Sequence, residues 1–326
     1  MSLKQPPRTS NLPSRKSGVQ LPVLIRTAGD QASRRFIEFF VAQIRNRNTR
    51  EAYHRAVADF LAWSRDRNCG LAELQPIHVA AYVEYLGTIY SPPTVKQHLA
   101  AIRMCFDWLV TGQVVAANPA ASVRGPKYVV KRGKTPVLTA AEARQLLDSI
   151  DCSTLVGLRD RALIGTMIFT FARVSAVVTM VVDDYYHLGK KSWVRLHEKG
   201  GKFLEVPAHH SVVEYLEEYL SAAGHGADAA SPLFRTAVGR TDLLTDRQLT
   251  RQDALRMVKR RVKAAGLSSR LTCHTFRATG ITAYLENGGT IEKAQVIAGH
   301  ESPRTTKLYD RTSDEVSLDE VERILI

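Results

Sequence analysis

Apolar positions recur at helical spacing over the first third of the chain. One segment carries Phe36, Phe39, Phe40 and Ile44. A second opens at Thr49, a good helix N-cap, and carries Tyr53, Val57, Phe60 and Leu61. A third follows Pro76 with Ile77, Ala80, Ala81 and Val83. The fourth starts at Pro92-Pro93, compatible with a first helical turn, and steps by four and three through Val95, Leu99, Ile102, Phe106 and Leu109 to a stop at Gly112. Each has one apolar stripe, and four such stripes predict a small helical bundle.

The second half mixes periods. Thr139-Ala-Ala-Glu142 fits a capping box ahead of Leu146, Leu147 and Ile150. An apolar helix from about Leu158 is expected to end at Ala172-Arg173-Val-Ser175. Val177 to Val182 reads as strand or helix start. Trp193-Val-Arg-Leu196 and Phe203-Leu-Glu-Val206 flank Lys199-Gly-Gly-Lys202, which predicts a hairpin. Helices are expected after Pro207 (Val212, Val213, Leu216, Tyr219), over about Thr250 to Ala265, at the His274 segment, and after Thr290. Residues 224–248 read as loop. Ser317-Leu-Asp-Glu320 starts a last short helix bearing Val321, Ile324, Leu325 and Ile326.

Punctuation divides the chain. Residues 1–28 are rich in Pro, Ser, Lys and Arg without apolar period and read as a basic disordered tail. Residues 29–113 form the helical domain. Residues 114–137, broken by Pro119, Gly125, Pro126, Gly133 and Pro136, read as a basic linker. Residues 138–326 form a second domain, with 317–326 as its terminal helix.

Charge changes the picture. The 326 residues hold 45 Lys+Arg against 32 Asp+Glu, a net +13, which favours a polyanionic partner. Basic residues lie on the polar faces of the bundle (Arg45, Arg47, Arg50, Lys96, Arg103), in the linker (Arg124, Lys127, Lys131) and on the 250s helix (Lys259, Arg260). They are candidate contacts to a DNA backbone. Cys69, Cys105, Cys152 and Cys273 form no C-x-x-C pair and read as reduced, mostly buried thiols of a cytoplasmic protein. No apolar run reaches membrane-spanning length. Walker A, H-E-x-x-H and dinucleotide fingerprints are absent, so no cofactor or metal is expected.

Cutting a DNA phosphodiester without a metal needs fixed cations for the phosphoryl oxygens, a nucleophile and an acid for the leaving oxygen. Arg173, Lys199, His274, Arg277, His300 and Tyr309 supply such groups in one domain. Singly, each has a commoner reading: a helix-end cation, a turn lysine, a surface His–Arg pair, a C-cap, a packed tyrosine. Their combination and order count for more.

That arrangement resembles the tyrosine recombinase (phage integrase) family, simple two-domain type. So do the Ala172-Arg-Val-Ser run, the Lys199-Gly-Gly-Lys hairpin ending in Val206-Pro207, His274-Thr-Phe-Arg277, Ala298-Gly-His300, and Tyr309 nine residues on. The resemblance covers about residues 30 to 326. It implies a mainly α chain: a four-helix core-binding (SAM-like) domain plus an α+β catalytic domain with a small antiparallel sheet. It implies that Tyr309 attacks the scissile phosphate, Arg173 and Arg277 clamp its oxygens, and His274 assists proton transfer. His300 would donate to the phosphate, and Lys199, or Lys202 beside it, would protonate the leaving 5′-oxygen. The implied partners are double-stranded DNA with an inverted-repeat core site and a homotetramer whose C-terminal helix docks in trans. A second recombinase or an accessory DNA-bending protein can share that complex. The implied setting is the cytoplasm of a prokaryote, at the nucleoid.

One position departs. The family usually carries an acid three residues after the first arginine, and here it is Ala176. Asp183 and Asp184 are the nearby acids that can compensate. Two other readings stay open: a catalytically impaired DNA-binding regulator of the same fold, and a type IB topoisomerase-like relaxase.

Overall fold

The computed structural model describes residues 21–130, 133–198, 201–239, 241–310 and 322, and only the backbone of Lys202. Lys131, Lys199, most of the basic tail and the expected terminal helix over 317–326 lie outside the described residues. The chain divides into two units, one ending at Val129 and the other starting at Val130.

The first unit contains α1 (Val23–Thr27), α2 (Asp30–Glu38), a π turn (Phe39–Gln43), α3 (Arg47–Arg65), α4 (Pro76–Ile89) and α5 (Pro92–Thr111). The four expected stripes meet in one core around Phe36, Phe60, Tyr82 and Phe106. Phe60 packs edge-on to Phe106 at 6.1 Å and tilted on Tyr82 at 5.1 Å. Each such buried ring contributes about 1.5–3 kcal/mol of apolar transfer free energy. Four expectations need correction here. Residues 23–27 of the supposed tail form a helix, because Leu24 and Ile25 can be buried against the bundle. Helix α3 starts two residues before Thr49, and the cap is Asn46, whose side chain accepts the Thr49 N–H at 3.1 Å. Of the expected α4 stripe only Val83 reaches the core: Ile77 is 67% exposed, Ala81 exposed and Ala80 half-buried, and the buried face is Val79, Tyr82, Val83 and Leu86. The first half of the supposed linker packs back on the bundle through Val114, Val115, Ala120 and Val123. Arg103 straps it there by donating to the carbonyls of Ala120 and Val123 at 3.2 and 2.7 Å.

The second unit opens with α6 (Ala140–Asp148), whose capping box forms: Thr139 Oγ1 accepts the Glu142 N–H at 3.1 Å and Glu142 accepts the Thr139 N–H at 2.8 Å. Helix α7 (Leu155–Phe169) is buried over most of its length, with Arg159 and Asp160 among its buried residues. Asp242 caps it from a distant loop, accepting the N–H groups of Leu155 and Val156 at 2.8 Å each. Then come α8 (Val174–Val178) and strands β1 (Tyr185–Leu188), β2 (Lys191–Glu198) and β3 (Lys202–Pro207). These strands form an antiparallel sheet in the order β1-β2-β3, with Glu198 opposite Lys202 across the hairpin. Helix α9 (His210–Ala223) packs on α7. A two-stranded pair, β4 (Arg235–Ala237) and β5 (Leu244–Gln248), occupies part of the stretch expected to be loop. Its strands are short and half-exposed, so they leave little period to read. Helices α10 (Arg251–Ala264), α11 (Cys273–Glu286), α12 (Ile291–Ala298) and α13 (Pro303–Lys307) complete the unit.

The main core joins α6 to α11 with the three-stranded sheet. A satellite core holds Phe171, Ala278, Ile281, Leu285, Ala294, Ala298 and Tyr309. One buried acid ties α7 to α10. Asp160, 0% exposed, accepts from Arg159 at 3.0 and 2.6 Å, from Arg260 at 2.8 Å and from Arg261 at 2.9 Å. No helix of the described residues is long and apolar enough to cross a membrane. Cys105 and Cys273 are buried and Cys69 and Cys152 half-buried, all free thiols.

Candidate active site

The site starts where α7 stops. Phe171 takes a left-handed backbone, φ 54°, which is strained for a bulky side chain. That turn aims the Phe171 carbonyl at α11, where it accepts from Arg277 Nη1. The two segments come this close because α11 carries Gly280. A Cβ there would lie 2.0 Å from the Ile168 carbonyl oxygen and 2.7 Å from the Phe171 ring. Arg277 Nη2 donates to the carbonyl of Ala298 at 2.6 Å. Arg277 is therefore buried, 1% exposed, and held from both sides by backbone.

Helix α12 ends in a left-handed glycine, Gly299 with φ 58°, which turns the chain so that His300 enters the unit. His300 is buried. Its Nδ1 lies 2.9 Å from Thr306 Oγ1, and its ring stacks parallel to that of Tyr309 at 5.8 Å. Tyr309 follows α13 and is anchored by its backbone, since its carbonyl accepts from Thr282 Oγ1 at 3.0 Å. Its hydroxyl lies 3.0 Å from His274 Nε2, from the first turn of α11. His274 keeps an exposed face beside a recess of about 530 Å³ lined by Val174, Thr250, Arg251, Thr272 and other residues of the α8, α10 and α11 ends.

Arg173 does not close α7, as its sequence context predicts. It is the N-cap residue of α8, two residues beyond the left-handed Phe171, and α7 has already ended at Phe169. Its Nη1 pairs with Glu198 Oε2, on the last residue of β2. Asp183 and Asp184, expected to compensate for Ala176, are engaged elsewhere. Asp184 accepts the Val181 N–H at 3.0 Å and meets His197 Nε2 at 2.9 Å, while Asp183 pairs with Arg195 at 3.4 Å. Glu198 had no signal in the sequence beyond its place beside Lys199, because a glutamate at a strand end is ordinary.

The electrostatics follow from burial among cations. Burial first, then the nearby Arg277 and Arg173, lower the pKa of His300 to about 4. The same causes lower that of His274. Burial and the neighbouring Arg173 bring Arg277 down to about 10, with Tyr309 and Glu198 acting the other way. Near neutral pH both imidazoles are uncharged and Arg277 keeps its charge. A neutral His274 can accept a proton from the Tyr309 hydroxyl, and the buried arginine presents fixed positive charge with little water to screen it.

Of the candidate DNA contacts, Arg45, Lys96, Arg124 and Lys127 are exposed. Arg47 is exposed and pairs with Glu51 at 3.0 Å. Arg50 donates twice to the Ile44 carbonyl, at 3.0 and 2.8 Å, and Arg103 is the strap described above, so both also do structural work. Lys259 donates to the Ser269 carbonyl at 2.5 Å, and Arg260 reaches Asp160 while staying 58% exposed.

Comparison with known proteins agrees with this architecture. Residues 136–315 match the phage integrase family, and residues 34–114 match the phage integrase N-terminal SAM-like domain. The chain is 30% identical over 224 residues to tyrosine recombinase XerD of Listeria monocytogenes, covering 67% of this chain and 71% of that protein. It is 27% identical over 272 residues to XerD of Staphylococcus haemolyticus, covering 82% and 88%. Its fold resembles that of XerH site-specific recombinase bound to palindromic difH substrate, with TM-score 0.66, 19% identity and 84% and 79% of the two chains covered. It also resembles a lambda integrase tetramer bound to a Holliday junction, with TM-score 0.66, 17% identity and 91% and 84% covered. With a mainly helical N-terminal unit and an α+β second unit both matched, the chain belongs to the phage integrase family of tyrosine recombinases.

Proposed function

We propose that this protein is a site-specific DNA recombinase with Tyr309 as nucleophile. The observation that carries the reading is the Tyr309 hydroxyl 3.0 Å from His274 Nε2, in a pocket with a buried arginine fixed from two sides. Tyr309 oxygen bonds to the scissile phosphorus as its proton passes to His274. The bond from phosphorus to the 5′-oxygen breaks, and that oxygen takes a proton from Lys199, or from Lys202 across the hairpin. The product is a 3′-phosphotyrosyl ester and a free 5′-hydroxyl. Arg173 and Arg277 hold the non-bridging oxygens, and His300 donates to one of them. The ester conserves the bond energy, so a 5′-hydroxyl from a partner strand reverses the chemistry without ATP. In this reading the arginines supply the charge that a metal would otherwise bring.

Exchange between two sites calls for four protomers, each on one arm of an inverted-repeat core site, resolving a Holliday junction. A lambda integrase relative of this fold has been captured as a tetramer on such a junction. The segment 317–326 would dock on the neighbouring protomer. Residues Arg45, Lys96, Arg124, Lys127, Lys131, Lys259 and Arg260 would follow the phosphate backbone.

The test uses nicked suicide duplexes built from inverted repeats sought in the DNA beside the coding gene. Wild type should trap a covalent protein–DNA adduct and Tyr309→Phe should trap none. An adduct that persists undiminished in Tyr309→Phe would sink the assignment. Binding without any adduct from wild type would favour the regulator instead.

A further inference from the structure

Glu198 ends β2 with its side chain 8% exposed. One carboxylate oxygen takes Arg173 Nη1; the other, Oε1, is buried with no hydrogen-bond partner among the described residues. The stem of the side chain backs the turn that leads to His300: a Cβ added to Gly299 would stand 3.8 Å from Glu198 Cγ. The same residue directly precedes Lys199. Ala176, one turn along α8 from Arg173, is 1% exposed and brings no charge.

A buried carboxylate with an unsatisfied oxygen is unfavourable for the fold, and an apolar residue would serve a strand end better. Its value has to lie in what it holds. Arg277 is pinned by two carbonyls, whereas Arg173 has 40% of its side chain exposed. The two guanidiniums repel each other, so a free Arg173 would swing into solvent. We propose that Glu198 is a positioning residue for Arg173, holding its guanidinium in the site before DNA arrives. It does so through one N–H, and the remaining donors of the five stay available to a phosphate. It also trims the paired charge of Arg173 and Arg277 from two to one, matching a single phosphodiester charge. Reorganisation is thereby done at folding rather than during cleavage. This inference rests on the reading of Arg173 as a phosphate clamp.

The experiment is a double-mutant cycle on single-turnover adduct formation with saturating suicide duplex, using Arg173→Ala, Glu198→Ala and the pair. Glu198→Ala should slow cleavage about ten- to hundredfold, with DNA affinity changed less than about threefold and Glu198→Gln intermediate. Added to Arg173→Ala it should cost nothing more, because it acts through that arginine. Cleavage at or above the wild-type rate in Glu198→Ala would overturn the proposal, as would an undiminished further loss in the pair. Should Glu198→Ala fail to fold, Glu198→Gln runs the same cycle. A DNA-free arm separates this from the recombinase reading: guanidinium NMR should show slowed rotation of Arg173 in wild type and free rotation in Glu198→Ala. Free rotation in wild type overturns the hold whatever the cleavage assay shows. Absence of adduct from wild type, with rotation slowed, sinks the recombinase reading and leaves the hold standing.

Discussion

At the scale of the residue, the site depends on groups whose ionisation is set by burial. His300 has its pKa lowered from 6.5 to about 4, and His274 is lowered in the same direction. An imidazole depressed on folding binds fewer protons in the folded chain than in the unfolded one. Its stabilising contribution is complete above about pH 6.5 and is lost as pH falls toward the folded value. The midpoint of thermal unfolding should therefore drop between pH 6.5 and 4, and the drop should be shallower in His300→Asn. A pH-independent midpoint over that window would contradict the assignment. In the proposed reaction cleavage should follow the same sense, since a protonated His274 could not accept the Tyr309 proton. Chain order and spacing already pointed to His274, Arg277, His300 and Tyr309. Their ionisation states were not legible, because depth and the Arg173–Arg277 proximity exist only after folding.

At the scale of the element, the crossing of α7 and α11 builds the arginine pocket. Gly280 makes that crossing possible, with the Ile168 carbonyl where its Cβ would stand. Gly280→Ala should destabilise the chain by about 1–3 kcal/mol through overpacking and weaken cleavage more than DNA binding. Urea unfolding and adduct formation measure the two effects. Sequence pattern found the helices themselves, through stripes such as Val95 to Leu109 and caps such as Thr139-x-x-Glu142. It misplaced what neighbours decide. Asn46 rather than Thr49 caps α3, and Arg173 starts α8 rather than ending α7. The pair β4 and β5 went unseen because short, half-exposed strands carry almost no hydrophobic alternation.

At the scale of the whole molecule, the two units have separate cores. The segment after Val130 is tied into its own unit: the Gly133 N–H donates to the Leu308 carbonyl at 3.0 Å and the Leu138 N–H to Thr279 Oγ1 at 3.0 Å. A fragment of residues 130–326 should therefore unfold in one cooperative transition by calorimetry, and a broad, uncooperative melt would contradict this. The net charge of +13 bears on binding rather than fold. Affinity of the full chain for duplex should fall with salt, log K against log salt being linear with a slope of about −0.9 per phosphate neutralised. Replacing exposed Lys96 by Ala should reduce that slope if the residue contacts a phosphate, as titration at several salt concentrations would show.

The order of Arg173, His274-x-x-Arg277, His300 and Tyr309 along the chain pointed to the family and to the proposed reaction class, because each part of such a phosphoryl transfer has a distinct side-chain chemistry. Helical period and caps determined the two-part architecture. Only the tertiary structure decided how the arginines are held, since the partners of Arg277 are carbonyls 106 and 21 residues away in the chain. It also decided which acid serves Arg173. Ala176 and the engaged Asp183 and Asp184 leave that place to Glu198, brought in by the β2–β3 register. A backbone carbonyl and a strand-end carboxylate carry no pattern of their own. They acquire a role through the approach of segments that the chain keeps far apart in sequence.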